Sequence, residues 1–124
     1  MNIYFFIAAL LIYAIAFVHS ILGEWLILIP LFRMDLPRLR GSEAATRRVL
    51  RFAWHLTTVV LGGLATVVAI WSTVELDELI VNMSEVAAVT FLVSAAISLV
   101  LTRARHFSWY IFLIIGVLTW LGGH

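Results

Sequence analysis

The sequence contains no cysteine, no lysine and few charged residues, and each shortage narrows what the chain can be. Without cysteine, disulfide bonds and thiolate metal sites are excluded. Hydrophobic residues make up 64% of the 124 residues and charged residues only 12%, whereas a soluble domain is about half apolar and about a quarter charged. The core of a 124-residue protein is too small to remove so much apolar surface from water. The sequence therefore predicts an all-α integral membrane protein with lipid as its solvent.

Four apolar stretches are long enough, or nearly long enough, to cross a bilayer, which takes about 20 helical residues. We expect them to form a single transmembrane domain over residues 1–124, folded as a four-helix bundle. The expected spans cover about residues 3–23, 50–72, 86–102 and 107–122.

The distribution of charge predicts an orientation. All eight basic residues are arginines, and they lie only in residues 33–51 and 103–105. The loop at residues 73–85 holds four acids and no base. Under the positive-inside rule the arginine-rich loops are cytoplasmic, the 73–85 loop is outer, and both termini lie outside. We expect a multi-pass protein of the bacterial inner membrane, and a net charge of only +1 gives no indication of nucleic-acid binding.

The first apolar run is too long for one upright span, because it continues to Phe32. About 30 helical residues would measure roughly 45 Å, well above the hydrocarbon thickness of the bilayer. The helix either tilts steeply or breaks at Gly23. Pro30 disfavours a straight continuation, so we favour the break, with residues 24–41 as an interfacial or cytoplasmic linker.

Two helix starts carry capping signals. Ser42 is a candidate N-cap for a helix that begins in the cytoplasm and runs into the second span. Asn82, with Glu85 three residues later, resembles a capping box for the third span.

Small and hydroxyl-bearing residues recur at helical spacing in three of the spans. Such stripes let membrane helices approach closely, so we expect them to form the packing seam of the bundle. The residues are Ala9, Ala16, Ser20 and Gly23 in the first span, Thr58, Gly62 and Thr66 in the second, and Thr90, Ser94, Ser98 and Thr102 in the third.

Four ionisable side chains come from different spans towards the cytoplasmic end of this seam. They are Glu24, His55, His19 and His106, with Glu24 and His55 the strongest candidates. Ionisable groups inside spans are costly, usually face the bundle interior and are candidates for a functional site. Convergence of the four depends on the folded bundle, since the sequence has no HxxxH or HExxH motif.

Two interpretations give this site a function. Imidazole nitrogens with a carboxylate suit a transition metal ion such as zinc or iron. A haem b held by His19 and His55 is a narrower version of that interpretation. Alternatively, Glu24 and the histidines bind and release protons, as in a small proton-coupled transporter or channel.

A third interpretation is structural. Glu24 pairs with one of the arginines at 47, 48 or 51, and His55 bonds to Ser20 or to a backbone carbonyl. The chain then has no site of its own and is an accessory or interaction subunit of a larger membrane complex.

Catalysis is the less favoured class, because the sequence has no nucleophile elbow, phosphate loop or paired carboxylates. So small a bundle encloses little volume. We therefore expect a homo-oligomer or a larger membrane complex, with the lipid bilayer as surroundings.

Overall fold

The part of the chain that the structure describes is mostly helical. A computed structural model describes residues 1–38, 41–101, 103–105 and 107–124, in which there are four helices and no strand. The prediction of an all-α fold is therefore confirmed. The helices are α1 (Ile3–Leu31), α2 (Glu43–Trp71), α3 (Glu78–Leu101) and α4 (Ser108–Gly123).

Three of these helices, α1, α2 and α3, are long and apolar enough to cross a membrane. The fourth, α4, has 16 residues and is therefore about 24 Å long. Large apolar side chains are exposed along the three long helices, for example Phe17 at 67%, Val59 at 69% and Val86 at 70%. Contiguous apolar surface of this kind calls for nonpolar surroundings.

The break expected at Gly23 is wrong. Helix α1 is α-helical over Ile3–Gly23, continues as a π-helical turn over Glu24–Leu28 and ends with a short turn at Ile29–Leu31. Gly23 itself has helical angles, φ −63° and ψ −43°. A Cβ atom at this position would overlap the indole of Trp54. Glycine is therefore required for the close approach of α2 and does not end the helix.

The two capping expectations have different outcomes. Helix α2 begins at Glu43, directly after Ser42, as expected. Helix α3 begins at Glu78, so the capping box proposed at Asn82 is wrong. The side-chain Oδ1 of Asp77 accepts a hydrogen bond from the backbone N–H of Ile80 at 2.8 Å, which makes Asp77 the N-cap.

The contacts divide the chain into two compact units. One consists of Met1–Tyr13 with Leu64–His124, and the other is Ala14–Gly63. Both α1 and α2 contribute residues to each unit.

In the first unit, Asn2 connects three helix ends. Its side-chain Oδ1 accepts a hydrogen bond from the backbone N–H of Tyr4 and caps α1. Its side-chain Nδ2 donates to the carbonyl of Gly122 at 2.7 Å, and its backbone N–H donates to the carbonyl of Ser72 at 2.7 Å. One asparagine therefore satisfies orphan groups at the start of α1 and at the C-terminal ends of α4 and α2.

The expected packing seam is confirmed in α1 and only in part in α3, where the Ser98 hydroxyl lies 2.6 Å from that of Ser108 on α4. Ala9 and Ala16 are buried in α1. In α3, Thr90 is exposed and its hydroxyl donates to the carbonyl of Val86 within the same helix. Because this hydroxyl bonds within its own helix, it does not need a partner on a neighbouring helix. The close approach of α4 instead depends on small side chains of α3. Thr102 lies outside the described residues. The buried residues of α3 are Ser84, Ala87, Ala88, Phe91 and Ala95.

Candidate functional site

The candidate site lies within the unit Ala14–Gly63 and is built from one segment of α1 and one of α2. We call its seven side chains the polar cluster. They are His19, Ser20 and Glu24 from α1, and Arg51, Trp54, His55 and Thr57 from α2.

The register of the two helices brings these residues together. Ser20 contacts His55, and Glu24, four residues later on α1, contacts Arg51, four residues earlier on α2. Four residues are about one helical turn, so two antiparallel helices present successive polar residues to each other at the same spacing. The cluster therefore follows from matched one-turn spacing in both segments.

Glu24 is the acceptor at the centre of the cluster. The Arg51 guanidinium donates to both carboxylate oxygens, with Nη2 bonded to Oε1 and Nε lying 3.2 Å from Oε2. The His55 Nε2 atom also lies 3.2 Å from Oε2. The side chain of Glu24 is 22% exposed. A two-pronged guanidinium contact is among the stronger ways to hold a carboxylate at a nonpolar boundary.

His55 bonds through both ring nitrogens. Its Nε2 faces Glu24, and its Nδ1 lies 2.9 Å from the Ser20 hydroxyl. Because an ionised carboxylate only accepts, Nε2 must carry a hydrogen. Nδ1 then accepts from the Ser20 hydroxyl when the ring is neutral and donates to the Ser20 oxygen when the ring is charged. Both protonation states are satisfied, and only the serine hydroxyl has to rotate.

His19 is held one turn away by different partners. Its ring stacks on the Trp54 indole, with 4.6 Å between centroids and 2° between planes. Its Nε2 lies 2.9 Å from the Thr57 hydroxyl, and that hydroxyl donates to the carbonyl of Trp54. A hydroxyl has one hydrogen to donate, so it accepts from His19 and the Nε2 atom carries the proton.

The structure thus brings together Glu24 and His55 but places His19 in a neighbouring contact. His106, the fourth expected residue, lies outside the described residues. Among residues 1–38, 41–101, 103–105 and 107–124, no group of three His, Cys, Asp or Glu side chains is arranged to hold a metal ion. The metal and haem interpretations therefore stay predictions without support from the described geometry.

The pairings expected under the structural interpretation are confirmed. Of the three candidate arginines, Arg51 pairs with Glu24, and His55 bonds to Ser20. The roles of Trp54 and Thr57 were missed. The only signal in the sequence was that both residues lie within one turn of His55 on α2. The Trp54 Nε1–H also donates to the carbonyl of His19 at 3.0 Å, so this tryptophan fixes the backbone as well as the ring.

This arrangement allows proton exchange at Nδ1 of His55, because the Ser20 hydroxyl is a hydrogen-bond partner of this atom in both protonation states of the ring. Searches of protein families, curated proteins and solved structures find no significant match to this chain.

Proposed function

We propose that the chain is an integral membrane protein that binds and releases a proton at His55. The observation that carries the proposal is the pair of contacts at the two ring nitrogens, with Ser20 at Nδ1 and Glu24 at Nε2. An imidazole is the side chain best suited to exchange a proton near neutral pH. A metal ion at His55 would have to displace one of these partners.

The proposed setting is a four-helix membrane bundle with both termini outside. The arginine-rich segments face the cytoplasm, and the bacterial inner membrane is the proposed location. Three helices long and apolar enough to span a bilayer support this placement. So do the segregation of all eight arginines from the acidic loop at residues 73–85 and the positive-inside rule. The polar cluster then lies near the cytoplasmic surface, from which protons can reach it.

Nitrogen NMR of the protein labelled with ¹⁵N-histidine in lipid nanodiscs tests the proton site directly. The His55 signals are assigned by their loss in His55→Gln. The spectra are recorded from about pH 5 to pH 8, the range over which imidazole side chains in general change charge. We expect two protonation states of the His55 ring, of which the neutral one has its hydrogen on Nε2. His124→Gln should leave the His55 signals unchanged. A His55 ring that keeps one protonation state across this range contradicts the proposal.

A flux measurement decides whether the site serves transport. In proteoliposomes with a pH-sensitive dye inside, a proton channel dissipates an imposed pH gradient faster than protein-free liposomes do. His55→Gln should remove that excess rate, and His124→Gln should keep it. Titration of His55 without flux excludes a proton channel.

A second candidate function is that of a subunit in a homo-oligomer or larger membrane complex. Only 11% of the most apolar stretch of α2 is buried within the chain, and this exposed surface favours such an assembly. Mass measurement of the detergent-solubilised protein by light scattering tests self-association. A monomer at all concentrations contradicts the homo-oligomer.

A further inference from the structure

The arginines of the unit Ala14–Gly63 are more numerous than its acids can neutralise. Between Glu24 and Arg51 the sequence has six arginines and three acids, an excess of three positive charges. Two of the three acids, Glu24 and Glu43, have partners already. Glu24 holds Arg51, and Glu43 lies 3.7 Å from Arg38 and 3.6 Å from Arg47. Charge therefore remains at this end of the unit after the internal ion pairs are counted.

Two arginines of the described residues contribute to that excess. Arg33 and Arg48 are exposed, and their side chains have no ion-pair or hydrogen-bond partner among the residues that the structure describes. Arg48 lies one turn before Arg51 on α2. Arg33 follows Phe32, whose ring lies 5.0 Å below the Arg51 guanidinium carbon. The contact between Phe32 and Arg51 thus brings the end of α1 and the first turns of α2 to one surface.

Apolar and aromatic side chains are exposed on the turn that begins at Glu24, the partner of Arg51. Trp25 and Leu26 are each 68% exposed on the π-helical turn. Exposed aromatic and aliphatic side chains next to arginines are typical of the boundary between acyl chains and headgroups. A free anion would gain nothing from contact with apolar side chains. A phospholipid matches both parts of this surface, because its phosphate can bind the arginines and its acyl chains can contact the apolar side chains.

We propose that Arg33 and Arg48, with the adjoining Arg51, bind the phosphate of an anionic phospholipid whose acyl chains lie against the apolar surface of the π-helical turn. Guanidinium groups suit phosphate oxygens because they offer paired N–H donors. The inference rests on the proposed membrane placement and not on proton binding at His55.

Native mass spectrometry of the protein in neutral detergent tests the inference. The protein is titrated with phosphatidylglycerol and with phosphatidylcholine of the same acyl length. We expect wild-type protein to prefer phosphatidylglycerol. In the double variant R33Q/R48Q the apparent Kd for phosphatidylglycerol should rise on the order of tenfold, because each arginine contributes separately to attraction of an anionic lipid. Binding of phosphatidylcholine should not change.

The matched control is R103Q/R105Q, which removes the same charge from the other arginine-bearing segment. It should keep phosphatidylglycerol binding within about twofold of wild type. An equal loss in both double variants would show general attraction by net charge and overturn the site. Equal affinity of wild-type protein for the two lipids overturns it as well. Displacement of phosphatidylglycerol by inorganic phosphate alone overturns the lipid assignment.

Failure of this inference is distinguishable from failure of the proposed function. The double variant leaves Ser20, Glu24 and His55 unchanged, so the His55 titration reports on proton binding independently.

Discussion

The Nε2 atom of His55 lies 3.2 Å from Oε2 of Glu24, although 31 positions separate the two residues. The same carboxylate oxygen accepts from Nε of Arg51, also at 3.2 Å. Two donors on α2 therefore share one acceptor on α1. Removing the negative charge affects both contacts at once, which makes Glu24 the most informative position for a first test.

Glu24→Gln should lower the free energy of unfolding by about 1–2 kcal/mol. The variant leaves the Arg51 guanidinium without its charged partner and weakens the bond to His55. Reversible unfolding in mixed detergent micelles measures the loss. Glu43→Gln is the matched control, because its ion pairs are long, at 3.6 and 3.7 Å, and solvated. For Glu43→Gln we expect a change below about 0.5 kcal/mol. Equal losses in the two variants would show that the contact between Glu24 and Arg51 stabilises the protein no more than the ion pairs of Glu43 do.

Gly23→Ala should lower the free energy of unfolding by about 1–3 kcal/mol. The added methyl group would overlap the Trp54 indole, so the indole or the helix must shift. Gly63→Ala is the control, since a Cβ at that position meets no atom within 4 Å. There the higher helix propensity of alanine should leave stability unchanged or raise it by up to about 1 kcal/mol. The same unfolding measurement gives both values, and a neutral Gly23→Ala would contradict the role assigned to this glycine.

The helical class and the ionisable members of the cluster could be read from the sequence, because both depend on local pattern. Apolar length predicts helices, and Glu24 and His55 stand out as charged or titratable residues beside apolar runs. The course of α1 could not be read in this way. Gly23 and Pro30 are helix breakers by propensity, and the close contact with Trp54 that explains Gly23 exists only after α2 has packed against α1.

The start of α3 was also misjudged for a physical reason. Asn82 and Glu85 satisfy the capping pattern, and so does Asp77 with its bond to the N–H of Ile80. The earlier cap adds about one and a half turns to the helix and satisfies more backbone groups internally. The positions of Trp54 and Thr57 beside His19 depend on the antiparallel register, which a single chain pattern does not specify.

The purified protein should contain less than one transition-metal ion per chain, and its absorption spectrum should show no Soret band. Both nitrogens of His55 have protein partners, and the Nε2 of His19 carries the hydrogen that it donates to Thr57. Elemental analysis and an absorption spectrum measure these quantities. A stoichiometric metal that is lost in both His55→Ala and Glu24→Ala would instead support the metal interpretation. A Soret band lost in His55→Ala would support haem.

Cysteine labelling should place the arginine-rich segment and the acidic loop on opposite sides of the membrane. The chain has no cysteine, so a single introduced thiol is the only target. Met34→Cys and Glu75→Cys are suitable because both side chains are exposed and neither has a side-chain hydrogen bond among the described residues. In intact spheroplasts a membrane-impermeant maleimide should label Glu75→Cys at once and Met34→Cys only after permeabilisation. This order follows from the positive-inside rule. Labelling of Met34→Cys from outside would reverse the proposed orientation, and the polar cluster would then lie on the outer side of the membrane.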